Sequence, residues 1–192
     1  MAAMQIATVK HALDNAPYCG DECGYWEYGA KTTLCIVDGL GHGKDAEIAA
    51  KAAVNYIACH RSESLQEIFT GCDRELRGTR GAAMGIAVID EKKGELTYAG
   101  IGNTRVIVEN SKTFRLDSDY GIIGGGFKKL IPETLAIGKG ALVIMFTDGV
   151  EELVDISRYD LISGDVYELA EKIITDWRIE RDDAAVMVYR MR

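Results

Sequence analysis

Residues 34–46 read Leu-Cys-Ile-Val-Asp-Gly-Leu-Gly-His-Gly-Lys-Asp-Ala. The apolar run 34–37 stops abruptly at Asp38-Gly39, the pattern of a buried strand that ends in a turn. Gly39, Gly41 and Gly43 then remove side-chain bulk and admit positive φ, so backbone and ligand can approach closely. His42 and Lys44 lie in the same turn, and an Ala-rich helical pattern follows. A carboxylate, free carbonyls, an imidazole and an ammonium within so few residues suit a hard metal ion and an anionic substrate.

Upstream, Gly20-Asp21-Glu22 precedes Tyr25-Trp26-Glu27-Tyr28, an aromatic strand candidate. Gly29-Ala30-Lys31 can close a hairpin into a strand over 32–37. In that hairpin Asp21 starts one strand and Asp38 ends the other, so the two are expected to be neighbours. An edge strand is expected over 5–10. Downstream, Ala46, Ala49, Ala50, Ala53, Tyr56 and Ile57 have helical spacing within 42–61, and 65–76 repeats it more weakly. Strands are expected over 82–90, 95–99 and 105–109, with 112–116 continuing the meander. Residues 121–126, with four glycines, read as a flexible loop. Strands over 135–137 and 141–146 follow, the second running into Thr147-Asp148-Gly149. The stretches 150–156 and 166–177 read as helical, and Arg181-Asp182-Asp183 leads into a last strand over 184–189. This order predicts one α+β domain over 1–192, with stacked sheets and helices outside.

Composition narrows the function classes. At 192 residues, 47% hydrophobic and 27% charged, the chain is ordinary globular material. A net charge of −8 argues against a nucleic-acid or anionic-membrane surface. The N-terminus lacks a basic segment followed by an apolar one, so no signal peptide is expected. Cys19, Cys23, Cys35, Cys59 and Cys72 are odd in number and irregularly spaced, which favours reduced thiols in a cytoplasm. Cys19 and Cys23 have no second pair at zinc spacing.

Asp21, Asp38, Asp148 and the Asp182-Asp183 pair each sit beside an expected strand end. Gathered at one rim they would repel each other unless cations neutralise them, and an oxygen-rich site of this kind suits Mg²⁺ or Mn²⁺. Alone, each Asp-Gly is more often a turn than a ligand. The ordered set GDE…VDGLGHG…TDG…RDDAAV resembles the PPM-type metal-dependent serine/threonine phosphatases, and within them the small bacterial SpoIIE-like branch. Thr79-Arg80-Gly81-Ala82 and Gly102-Asn103-Thr104-Arg105 are most similar to the members that reset the stressosome.

The resemblance implies a four-layer αββα sandwich with two divalent ions, Mn²⁺ or Mg²⁺, at one end of the sheets. Asp38 would bridge both ions and the Gly39 carbonyl would bind one of them. Asp21 would serve that same ion, directly or through water. Asp148 and the Asp182-Asp183 pair would hold the other, with either of the pair open as the ligand and Asp182 in better motif phase. It further implies hydrolysis of phosphoserine or phosphothreonine by metal-activated water, in a cytoplasmic monomer acting on a phosphorylated protein, namely a STAS-domain scaffold of the stressosome. Larger relatives carry a phosphate-gripping arginine ahead of the first acidic motif; here Pro17-Tyr18-Cys19-Gly20 stands there. Arg80, Arg105 and Lys44 are the candidates to replace it, and Arg80 and Asn103 are read as substrate-binding. His42 is the candidate general acid, against a plain loop or helix-cap role. Two other classes stay open: a catalytically idle partner-binding module, and a phosphohydrolase of small molecules. No GxxxxGK[ST] loop is present to support nucleotide binding.

Overall fold

The computed structural model describes residues 5–161 and 164–192. Its strands are β1 (Ile6–His11), β2 (Asp21–Tyr28), β3 (Lys31–Gly39), β4 (Ala82–Asp90), β5 (Glu95–Ile101), β6 (Arg105–Glu109), β7 (Thr113–Leu116), β8 (Gly121–Ile122), β9 (Gly126–Phe127), β10 (Glu133–Ala136), β11 (Leu142–Phe146) and β12 (Ala184–Arg190). The helices are α1 (Lys44–His60), α2 (Leu65–Glu75) and α3 (Val166–Trp177). One antiparallel sheet runs β1-β12-β11-β6-β7, and the other runs β10-β5-β4-β3-β2.

The sheets stack face to face. Leu34, Ile36, Ala87 and Tyr98 from one meet Val143, Met145, Met187 and Tyr189 from the other. Each sheet alternates sides, so its second face is also apolar and needs a cover. Cys35, Val37, Met84 and Ile86 are covered by Ala50, Ala53 and Ile57 of α1 and by Ile68, Phe69 and Cys72 of α2. Ile144, Phe146, Val186 and Val188 are covered by Leu169, Ala170, Ile173 and Ile174 of α3. The result is the expected αββα order. The helices begin where their caps allow. Ser64 and Glu67 form a reciprocal capping box on α2, and the Asp165 carboxylate accepts from Tyr167 N and Glu168 N on α3.

Two local expectations are corrected. Residues 150–156 are not helical. Val150 bridges Arg178, Glu151 N donates to Trp177 O at 2.9 Å, and only a single 3₁₀ turn forms at Ile156–Arg158. Long-range backbone partners claim the hydrogen bonds that a helix would need. Residues 121–126 are not a loose loop but part of a small hairpin of β8 and β9. The Asp73 carboxylate of α2 accepts from Gly124 N and Gly126 N, each at 2.9 Å, and buried Ile123 bridges Ala82.

Candidate metal centre

Asp38 is the penultimate residue of β3, and the β2–β3 register sets Asp21 directly opposite it. The glycine after it is required by space. A Cβ on Gly39 would stand 2.1 Å from the Ala46 carbonyl oxygen, so the first turn of α1 presses on the strand end. Gly41 and Gly43, at φ 84° and 79°, then turn the chain into α1. The second sheet repeats the device. β11 ends at Phe146, Thr147 and Asp148 follow, and a Cβ on Gly149 would stand 1.7 Å from the Asp183 carbonyl oxygen. That contact packs the turn after β11 against the Asp182-Asp183 lead into β12. Both Asp-Gly pairs thus mark backbone crossings at one rim of the sandwich.

Asp38, Asp148 and Asp182 face a single cavity of about 520 Å³, whose wall also includes Leu40, Asn103, Arg105, Tyr120 and Ile122. Asp38 and Asp148 are close enough to share a hydrogen bond between their carboxyl groups. Burial, then the charges of Asp21 and Asp148, push Asp38 well above the ordinary carboxylate range. Asp21 is 1% exposed behind it and is pushed up first by burial; the Thr147 hydroxyl donates to its Oδ2 at 2.6 Å and opposes that rise. Burial and Asp148 raise Asp182. Among the described residues no lysine or arginine forms an ion pair with Asp21, Asp38, Asp148 or Asp182.

Such a charge cluster disfavours itself, and divalent cations are its natural complement. The all-oxygen donor set fits Mg²⁺ or Mn²⁺ rather than a softer ion. Among the described residues, no three acidic, histidine or cysteine side chains already converge into a cage. Their existing bonds explain why. Asp148 Oδ2 accepts from Asn103 Nδ2 at 2.6 Å, and Asp21 is held by Thr147. Asp182 Oδ1 accepts from Asp183 N at 2.9 Å. Asp183 is 3% exposed and is occupied by Leu13 N and Gly20 N, both at 2.8 Å. It therefore ties three loops together, while its neighbour Asp182 faces the cavity.

The other anticipated residues are dispersed. Gly39 is buried, and its carbonyl oxygen lies over Gly20. Asn103 lines the cavity, but its amide is committed to Asp148, and its Oδ1 is buried without a hydrogen-bond partner. Arg80 lies outside the wall and braces the 40–43 turn, with Nη2 3.3 Å from Asp45 Oδ2 and Nη1 donating to His42 O at 3.4 Å. His42 and Lys44 are exposed in or beside that turn and are absent from the cavity wall. The His42 ring is near enough to Asp182 to favour its ionised form slightly. None of the five free cysteines lines the cavity, and burial pushes the Cys19 thiol up to about 12. Sequence reading missed Thr147 as the partner of Asp21. It also missed Leu40, Tyr120 and Ile122 as cavity wall. Thr147 had a signal: it stands between the end of β11 and Asp148, at the acidic rim.

A family model described as Stage II sporulation protein E (SpoIIE) matches residues 28–192. The phosphoserine phosphatase RsbX of Bacillus subtilis (strain 168) is 29% identical over 150 residues, which cover 76% of this chain and 75% of that protein. A solved structure from work on the bacterial stressosome, described as a modular system adapted to control secondary messenger signalling, is 28% identical. It superposes with a TM-score of 0.89 over 97% of this chain and 98% of its own. RsbX in complex with magnesium superposes with a TM-score of 0.87 at 23% identity, over 100% of this chain and 97% of its own.

Proposed function

The chain belongs to the SpoIIE family, and from that premise we propose that it is a metal-dependent protein serine/threonine phosphatase. One observation carries the reading. Asp38 from one sheet and Asp148 and Asp182 from the other face one cavity without a cationic partner among the described residues. Divalent ions bound there would neutralise phosphoryl oxygens and lower the pKa of water. The magnesium in the RsbX structure supports a hard cation; two ions, and Mn²⁺ as well as Mg²⁺, are part of the proposal.

Asp38 is assigned the shared position, since it stands opposite Asp21 in the β2–β3 ladder and within hydrogen-bond reach of Asp148. Asp21, held by Thr147, would serve the same ion as the Gly39 carbonyl, directly or through water. Asp148 and Asp182 would hold the second ion. Asp182 is preferred over Asp183 because the latter carboxylate is occupied by two backbone N–H groups. His42 is the proton donor to the departing serine or threonine oxygen, supported by its place on the turn that follows Asp38. Replacing it by Ala should flatten the alkaline limb of the pH–rate profile, where a proton donor loses its proton. Hydrolysis is direct, since no thiol lines the cavity.

A protein substrate is favoured over a small molecule. The mouth of the cavity carries Tyr120, fully exposed, with Leu40 and Ile122 at 37% and 40%. Such a rim suits the residues flanking a phosphorylated side chain. We take a phosphorylated STAS-domain scaffold as that substrate; the phosphoserine phosphatase and stressosome relatives support a phosphoprotein in that context. We place the work in the cytoplasm, as a monomer. The five cysteines are free, and among the described residues no helix is long and apolar enough to cross a membrane.

The test is phosphate release from phosphoserine proteins and from free nucleotides, with Mn²⁺ or Mg²⁺ and with EDTA, beside Asp38→Asn. Metal-dependent release from proteins that Asp38→Asn abolishes is expected. Absence of release from every phosphoprotein would favour the idle binding module, and preference for nucleotides the small-molecule enzyme.

A further inference from the structure

The acidic centre attracts cations, yet a phosphorylated substrate is an anion and needs a positive group beside it. Among the described residues, Arg105 is the only lysine or arginine lining the cavity. We propose that Arg105 grips the substrate phosphate, and that Glu152 is the counter-ion the phosphate displaces. This rests on the phosphatase reading above and extends it to the residue that recognises the phosphoryl group.

The fold puts Arg105 at the right edge of the site. It opens β6, and the ladder sets it opposite Phe146 of β11, two residues before Asp148. Its Nη1 donates to the Asn103 carbonyl oxygen at 3.2 Å, and the Asn103 amide in turn holds Asp148 at 2.6 Å. The guanidinium is therefore indexed to the carboxylate it must work beside. Its Nη2 lies 3.2 Å from Glu152 Oε2. The Arg105 side chain is 25% exposed and Glu152 is 65% exposed. A pair with one partner so open to water contributes little. A phosphate monoester offers about two negative charges and several acceptor oxygens, which the planar fork of an arginine can engage bidentately. Exchange of Glu152 for phosphate is thus downhill, while Glu152 keeps the guanidinium from folding onto the acidic cluster when substrate is absent. Arg80 is not among the residues lining the cavity, and its two terminal nitrogens are held by the His42 carbonyl oxygen and the Asp45 carboxylate.

Inorganic phosphate is the probe. Its affinity for the Mg²⁺-loaded protein is read by calorimetry, and its competition with p-nitrophenyl phosphate by inhibition. Arg105→Ala should weaken phosphate by about tenfold or more in both, with KM rising more than kcat falls. Arg105→Lys should recover part of the loss. Glu152→Gln should tighten phosphate by about twofold, because the competitor is gone. The Mg²⁺-induced rise in Tm should survive in all three, since none is assigned to the metal. A folded Arg105→Ala that binds phosphate as the wild type does would overturn the proposal. So would a Glu152→Gln that weakens phosphate, which decides the matter even if Arg105→Ala fails to fold. A wild type that binds phosphate through Arg105 but releases none from phosphoproteins would sink the phosphatase reading and leave this one standing.

Discussion

The body of β3 and its tip obey opposite rules. Leu34, Cys35, Ile36 and Val37 are all 0% exposed and packed on both faces by apolar neighbours. One step further along the same strand, Asp38 is largely buried among Asp21, Asp148 and Asp182, each of which makes its charge more costly. The strand body is where the sequence agrees with itself at every level; the tip is where stability has been given up. Disagreement of that kind at the end of a well-packed strand is a mark of function, because only a bound cation or a reaction makes it useful.

The sharpest way to break the contrast is Asp38→Asn. It should lower phosphatase activity by at least about a hundredfold, as loss of a ligand that serves both cations would. In EDTA near pH 8 it should raise Tm, because it removes a buried carboxyl that the folded chain holds protonated at a pH where the unfolded chain has released that proton. A Tm lowered in EDTA would mean that the tip obeys the same rules as the body. The matching change in the body is Ile36→Ala. It should cost about 2–5 kcal/mol of folding free energy in a denaturant titration, with the folded fraction keeping its turnover.

The pH dependence sharpens the same contrast. Asp21 and Asp38 hold their protons more tightly in the folded chain than in the unfolded one, with burial the first cause for both. As pH climbs past the ordinary carboxylate range, the unfolded chain releases these protons first. Stability without metal therefore falls as pH rises, until the raised values, about 8 for Asp21 and about 9 for Asp38, are passed. Saturating Mg²⁺ should reverse this, raising Tm by about 5 °C or more at the alkaline end and much less near pH 5. A gain independent of pH would separate metal binding from these carboxylates.

What could be read beforehand follows the same division. The strand body, the β2–β3 hairpin with Asp21 beside Asp38, the start and end of β4 and the whole of α3 were legible. Their signals are local: period, turn chemistry and caps. The acidic residues were legible as types and in order, since an acid after an apolar strand is a local anomaly. Their partners were not. Thr147 on Asp21, Asn103 on Asp148, and Leu13 and Gly20 on Asp183 are contacts across 126, 45, 170 and 163 residues. The misread stretch 150–156 fails for the same reason. Val150, Val154 and Ile156 are all buried and imitate a helical stripe, whereas the backbone bonds that decide the conformation run to Trp177 and Gly149's partner Ile179.

The smallest expected effect concerns the glycine hairpin of β8 and β9, where a tip behaves like a body. Four glycines in six residues suggest mobility, yet Asp73 accepts from two of their backbone N–H groups, and Ile123 is buried beneath them. The Asp73 side chain is only 13% exposed and lies 4.0 Å from Arg77, a separation at which the ion pair adds little. Its worth is therefore in the two N–H contacts, about 1–3 kcal/mol for a carboxylate accepting from the backbone. Asp73→Ala should cost that much at most in folding free energy, read from a denaturant titration. Because the hairpin carries Ile122 in the cavity wall, next to Tyr120 at the mouth, loosening it should raise KM for a phosphoprotein a fewfold and leave KM for p-nitrophenyl phosphate near the wild-type value. Equal shifts for both substrates would mean that the hairpin shapes the reacting centre itself. No shift for either would mean that the apolar rim plays no part in gripping a protein, and the preference for a protein substrate would then have to come from elsewhere on the surface.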